Sequence, residues 1–204
     1  MVPPPPLIGD GYGNYRVNVV GNSGTGKSTL GKQLADLLGV PFISLDTFFW
    51  KPGWKTSTSE EMREKVALAL ENAPNGWVVD GNYNSRIGTI VKDNSTDVIW
   101  LDPPLALYLP RLIFRTFLRL LGLAPSCSPG CPEMAIEVFF SKESIIWRCI
   151  SNHWRTRNRE SARMNEIGIG VGTNVNRQKM RRIGGWGGEL RAWVGEVERM
   201  LQRE

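Results

Sequence analysis

The stretch "VVGNSGTGKSTLGKQLADLLG", Val19 to Gly39, matches the pattern G-x-x-x-x-G-K-[ST] in full, with Gly21, Gly26, Lys27 and Ser28 at its fixed positions. Glycines let a backbone turn tightly enough to aim successive N–H groups at phosphate oxygens, and a following helix adds its positive dipole end. The flanks supply the required context. "YRVNVV" upstream is an apolar-rich run suited to a buried strand, while Leu30, Leu34, Leu37 and Leu38 downstream recur at helical spacing. Strand, glycine loop and helix therefore define a nucleotide-phosphate cradle made of Gly21, Asn22, Ser23, Gly24, Thr25, Gly26, Lys27, Ser28 and Thr29. In such a cradle Lys27 reaches the outer phosphates and the Ser28 hydroxyl ligates Mg²⁺, so the expected cofactors are ATP and Mg²⁺.

Working outward, strands and helices alternate. "PFISLD" reads as a second strand ending at Asp46 and is followed by Phe48, Phe49, Trp50 and Trp54. A helix starts near Thr58, where Thr58 and Glu61 have capping-box spacing and Met62, Val66 and Leu70 continue at four-residue intervals. "WVVDGNYNSR" reads as a strand ending at Asp80, with a turn at Gly81, and "TDVIWLDPP" as a strand ending at Asp102. "KMRRI" reads as the fifth strand and Glu189 to Arg203 as a closing amphipathic helix. The pattern predicts an α/β fold with a parallel five-stranded sheet and helices on both faces. Residues 1–14, "MVPPPPLIGDGYGN", read as a disordered proline-rich arm, and residues 15–204 as a single domain. The glycine-rich "NEIGIGVGTNVN" reads as a mobile insertion.

The chain of 204 residues is 41% apolar, enough for one sizeable core, and its net charge is +5. Between Arg111 and Arg191 there are fourteen Lys and Arg against six Glu and no Asp. Such a density fits either a lid over ligand phosphates, at about 111–176, or a nucleic-acid surface, and beside a phosphate loop the lid is the more economical reading. The apolar run from Leu105 to Ala124 carries Arg111, Arg115 and Arg119 four apart, which argues for a basic helix stripe and against a membrane span. Pro110 is expected to break that helix. The start of the sequence shows no signal-peptide pattern, so the expectation is a cytoplasmic protein, monomeric or homodimeric. Cys127, Cys131, Cys149 and the only histidine, His153, form a conceivable Cys₃His zinc set, against which stands a set of reduced cytosolic thiols. With a single histidine and no nearby Ser or Cys motif, triad hydrolysis has no support; no "NKxD" element supports a GTPase, and a motor would need more chain.

The blocks "GNSGTGKSTL", "ISLDTFFWKPGW", "WVVDGNYNSR", "VIWLDPP" and "PGCPE", with the arginine-rich helix after them, together resemble adenylate-kinase-like proteins of the DNA topology modulation, or FlaR-like, family. The resemblance runs from about Tyr15 to Arg163 and implies the fold of nucleoside monophosphate, shikimate and gluconate kinases. It implies that Asp80, in its strand-ending "DG", holds the Mg²⁺ shell, and that Arg111 and Arg115 begin the lid and neutralise the migrating phosphoryl group. Asp46, opening toward the carboxyl-end crevice, is the candidate base or acceptor-orienting group. The acceptor site is expected from Asp46, Trp50, Trp54, Asn82, Arg86, Arg148 and Arg155, with the aromatics either stacking a base or filling the core. The activity implied is ATP- and Mg²⁺-dependent phosphoryl transfer to a small-molecule or nucleotide acceptor; the alternative is a non-catalytic nucleotide-binding regulator that contacts nucleic acid through its arginine-rich half.

Overall fold

Alternating apolar residues in β1 (Tyr15–Gly21) place Val17 and Val19 on one face of a sheet and Val20 on the other, all of them buried. The computed structural model describes residues 4–123 and 145–203. Around β1 it builds a five-stranded, wholly parallel sheet from β2 (Phe42–Ser44), β5 (Gly76–Asp80), β6 (Asp97–Leu101) and β7 (Met180–Ile183), in the order β2-β5-β1-β6-β7. One face is covered by α1 (Lys27–Leu38) and α8 (Gly188–Leu201), which close a core of Leu30, Leu34, Val78, Ile99, Leu101, Trp193 and Val197. The other face carries α3 (Ser59–Glu71) over Ile43, Trp77 and Val79, and α7 (Ile145–Ile167) over Val98, Trp100 and Met180. Because β2 and β5 lie on one side of β1 and β6 and β7 on the other, the winding order of the strands reverses there, and the crevice beyond its carboxyl end is where a sheet of this kind binds ligands.

Several expectations change. Asp46 does not end a strand: β2 stops at Ser44 and Asp46 sits in the first turn of the short α2 (Leu45–Phe49), because the buried Leu45 anchors the chain and Thr47 Oγ1 returns to the Ser44 carbonyl at 2.7 Å. After α2 a small hairpin pairs β3 (Trp50–Lys51) with β4 (Lys55–Thr56) around Gly53. Pro110 does not break its helix. It lies inside α6 (Leu105–Leu120), which continues past it and buries Tyr108, Leu112 and Thr116. Two short helices, α4 (Asn84–Ile87) and α5 (Ile90–Asn94), join β5 to β6.

In the described part of the arm, residues 4–14, and in the glycine-rich stretch the chain is tied to the fold rather than loose. Leu7 is 1% exposed in the core, and the N–H groups of Ile8 and Gly9 donate to the Asp97 carboxylate at 2.7 and 3.1 Å. The Trp193 indole donates to the Pro6 carbonyl. The stretch after Ile167 is tied by Gly170 N to Gln178 Oε1, Gln178 Nε2 to the Gly172 carbonyl and Thr173 N to the Asn165 carbonyl. A turn whose backbone groups are satisfied this way holds one shape. The capping box on α3 is present in both directions, Glu61 N to Thr58 Oγ1 and Thr58 N to Glu61 Oε2. Among the described residues no helix is long and apolar enough to cross a membrane.

Candidate functional site

The turn from β1 into α1 passes so close to β6 that a Cβ on Gly21 would stand 2.6 Å from the Leu101 carbonyl oxygen, at a φ of +147°. Only glycine makes that approach. The loop then holds itself: Thr25 Oγ1 and Lys27 Nζ both donate to the Asn22 carbonyl, at 2.9 and 2.8 Å. Gly26, the residue that caps α1, offers no side-chain acceptor to the first-turn N–H groups. The contrast with the fully capped α3 is informative, since uncapped N–H groups at a helix start are donors left for an anion.

Ser28, in the first turn of α1, donates to Asp80 Oδ2 across from the end of β5. Asp80 is 3% exposed, and its other oxygen, Oδ1, is buried without a hydrogen-bond partner. Burial raises its pKa from the ordinary carboxylate range, an effect opposed by the Lys27 charge and the Ser28 bond and reinforced by the negative charge of Asp46. A buried carboxylate with an unpaired oxygen, a hydroxyl beside it and a lysine close by is a donor set of hard oxygens that fits a divalent cation such as Mg²⁺. Gly81 follows at φ +135°, where a Cβ would meet Leu45 Cβ at 2.8 Å, so glycine lets the chain leave Asp80 tightly against α2.

That exit loop brings Tyr83 to Asp46, its hydroxyl donating to Asp46 Oδ1 at 2.6 Å. The Tyr83 ring packs against Phe49 at 4.8 Å, Phe49 against Trp50 at 4.7 Å, and Trp50 against Trp54 at 5.1 Å. The Arg86 guanidinium lies over the Phe49 ring at 5.4 Å. Phe48 and Phe49 pack on the core under α3, so the aromatic run divides into an inner pair and the half-buried Trp50 and Trp54. Asn82 points elsewhere: its Nδ2 faces Glu160 Oε1 at 3.5 Å and its Oδ1 is buried and unpaired.

Of the predicted arginines, Arg115 is exposed on α6, and its charge acts on both Asp80 and Cys149. Arg111 and Arg155 are exposed on α6 and α7. The Arg148 side chain, and Cys127 and Cys131, lie outside the described residues, as does the 124–144 part of the predicted lid. Cys149 is buried, its thiol faces the Ser23 carbonyl at 3.5 Å, and burial pushes its pKa up to about 11. His153 Nδ1 pairs with the Tyr108 hydroxyl at 2.7 Å. Among the described residues no group of three or more His, Cys, Asp and Glu is gathered as a metal-binding cluster.

Sequence reading missed the network behind the loop. Asn22 Nδ2 donates to the Tyr108 hydroxyl at 2.9 Å and to the Cys149 carbonyl at 2.7 Å, which ties the loop to α6 and α7. Asp102 accepts from Arg182 Nη2 at 2.6 Å and Arg157 Nε at 3.2 Å, pinning α7 to β7, and the fully buried Glu160 takes Arg159 and Arg163, each at 2.9 Å. Cavity size is no guide to the site. A groove of about 540 Å³ lies at the opposite, amino end of the sheet, and Lys179, which lines it, is committed to the Lys92 and Ser95 carbonyls.

A family model described as shikimate kinase matches residues 23–66, from inside the loop to the middle of α3. Among solved structures, a shikimate kinase from Bacteroides thetaiotaomicron is similar at 16% identity, with 93% of this chain and 97% of that chain covered and a TM-score of 0.50. A gluconokinase from Sinorhizobium meliloti 1021 is 14% identical, with 93% and 94% covered and a TM-score of 0.48. No curated protein matches the chain. The five-stranded parallel sheet with its phosphate loop is the fold the chain shares with the first of these structures.

Proposed function

We propose that the protein is a kinase that transfers the γ-phosphoryl group of ATP to a hydroxyl of a small molecule. The observation that carries the reading is the convergence of Lys27, Ser28 and Asp80 at the uncapped start of α1, with Asp80 Oδ1 left unpaired. Phosphoryl transfer asks for positioning and charge neutralisation rather than covalent chemistry, and these residues are of the types it needs. The loop N–H groups and Lys27 hold the phosphates, and Arg115 adds positive charge near the transferring group. Mg²⁺, held by Ser28 and Asp80, would neutralise phosphate oxygens. Asp46 takes the acceptor proton as the acceptor oxygen bonds to the γ-phosphorus and the bond to the ADP oxygen breaks. The Asp46 carboxylate, whose negative charge is felt at Asp80, favours a hydroxyl acceptor, whose proton it can take, over the anionic phosphate of a nucleoside monophosphate. Trp50, Trp54 and Arg86 form the acceptor's wall. The match to a shikimate kinase model over residues 23–66 and the resemblance of "LDTFFWKPGW" and "DGNY" to FlaR-like proteins support the same placing.

The regulator reading is less favoured, because Arg157, Arg159, Arg163 and Arg182 are engaged by Asp102 and Glu160 within the fold. The test is ATP consumption with Mg²⁺ against a panel of sugars, polyols, hydroxy acids, nucleosides and nucleoside monophosphates. A hydroxyl compound should be phosphorylated. Lys27→Ala should lower turnover by about 10²- to 10³-fold, and Asp46→Asn by about 10²- to 10⁴-fold with ATP binding intact. Turnover that no acceptor stimulates, or that Lys27→Ala leaves unchanged, would overturn the proposal.

A further inference from the structure

Resting on the kinase reading above, we infer that Tyr83 is a positioning residue that aims the Asp46 carboxylate at the acceptor hydroxyl. Asp46 stands on a helix of five residues, α2, with little of its own to fix a carboxylate rotamer. The Tyr83 hydroxyl supplies the fixture, donating to Oδ1 at 2.6 Å. Its ring is itself held against Phe49, which carries Arg86 on its face and packs on the core under α3. With Oδ1 engaged, Oδ2 is the oxygen that receives the acceptor proton. Asp80 and Tyr83 lie three residues apart on one exit loop, so the group that meets the metal side of the reaction and the group that orients the base move together. A loop that shifts Asp80 also shifts Asp46, which couples the phosphate and acceptor halves of the site.

The variant that isolates this role is Tyr83→Phe, which removes one oxygen and keeps the ring packing. A charge-assisted hydrogen bond lost near the reacting group is expected to lower kcat for the hydroxyl acceptor about 10-fold or more, with KM for ATP unchanged. Tyr83→Phe added to Asp46→Asn should cost almost nothing further, because the carboxylate it serves is gone. Thermal unfolding of the four proteins should show the same non-additivity, whether or not acceptor is present. Equal losses in both backgrounds, no loss in either, or additive unfolding shifts would overturn the inference. If the unmodified protein shows no acceptor-dependent turnover, the kinase proposal falls and this inference with it; turnover that Tyr83→Phe leaves untouched brings down this inference alone.

Discussion

Helices α1 and α7 pack on opposite faces of the same sheet by different physics. The buried stripe of α1 is Leu30, Gly31, Leu34 and Ala35, an apolar seam with no polar side chain. Among the described side chains of α7 the buried stripe is Cys149, His153, Thr156, Glu160, Arg163 and Ile167, spaced four and three apart along the helix, and of these only Ile167 is a large aliphatic residue. Its aromatic residues Trp147 and Trp154 are exposed instead. An apolar seam is non-directional and tolerates small shifts, whereas a polar seam holds only while each partner stays in reach. The loop-bearing side of the protein is thus anchored by burial, and the arginine-rich side by specific bonds to Asp102, Glu160, Tyr108 and Asn22.

The sharpest way to break this contrast is Glu160→Ala. Arg163, 9% exposed, would lose its partner inside the protein, and removing one member of a buried ion pair costs about 3–5 kcal/mol. Urea unfolding should show that loss, while Glu160→Ala with Arg163→Met should recover part of it. If Glu160→Ala costs no more than a surface substitution, the polar seam is not what holds α7.

Leu34→Ala is the counterpart on α1. Leu34 is fully buried, so truncation should cost about 2–5 kcal/mol, and the loss should be the same at pH 5 and pH 8 because no charge is involved. A pH-dependent loss would show that α1 also leans on titrating groups.

The smallest effect expected is at His153. Burial, with the Arg157 charge behind it, lowers its pKa below the ordinary value of 6.5, and the Asp102 charge only partly opposes this. The folded protein therefore binds fewer protons than the unfolded chain, and His153 contributes stability that is present above pH 6.5 and is lost as pH falls through that value toward the lowered folded one. Unfolding measured from pH 8 to pH 5 should show a decline that His153→Asn flattens. An unchanged decline would assign the pH dependence to other groups.

Legibility from sequence followed the same divide. The loop, its flanking strand and α1 were readable because glycine spacing and a four-residue apolar period are local signals of backbone geometry and burial. The capping box at Thr58 and Glu61 and the strand ending at Asp80 were readable for the same reason. The strand drawn to Asp46 overran by two residues, since Leu45 is as compatible with a buried helix start as with a strand. Pro110 misled because a helix with enough apolar surface on its buried side accommodates one missing N–H.

Sequence alone determined the phosphate-loop pattern and the alternation of strands and helices, because both are local signals, and it nominated Lys27, Asp46, Asp80, Arg111 and Arg115 as catalytic candidates and Ser28 as a metal ligand. Only the tertiary structure decided that Ser28 meets Asp80, that Tyr83 holds Asp46, that α7 buries a polar stripe, and that Ile8 and Gly9 donate to Asp97. Each of these joins positions far apart in the chain or depends on which face of a helix is buried, and no local period encodes a partner that another strand brings into reach.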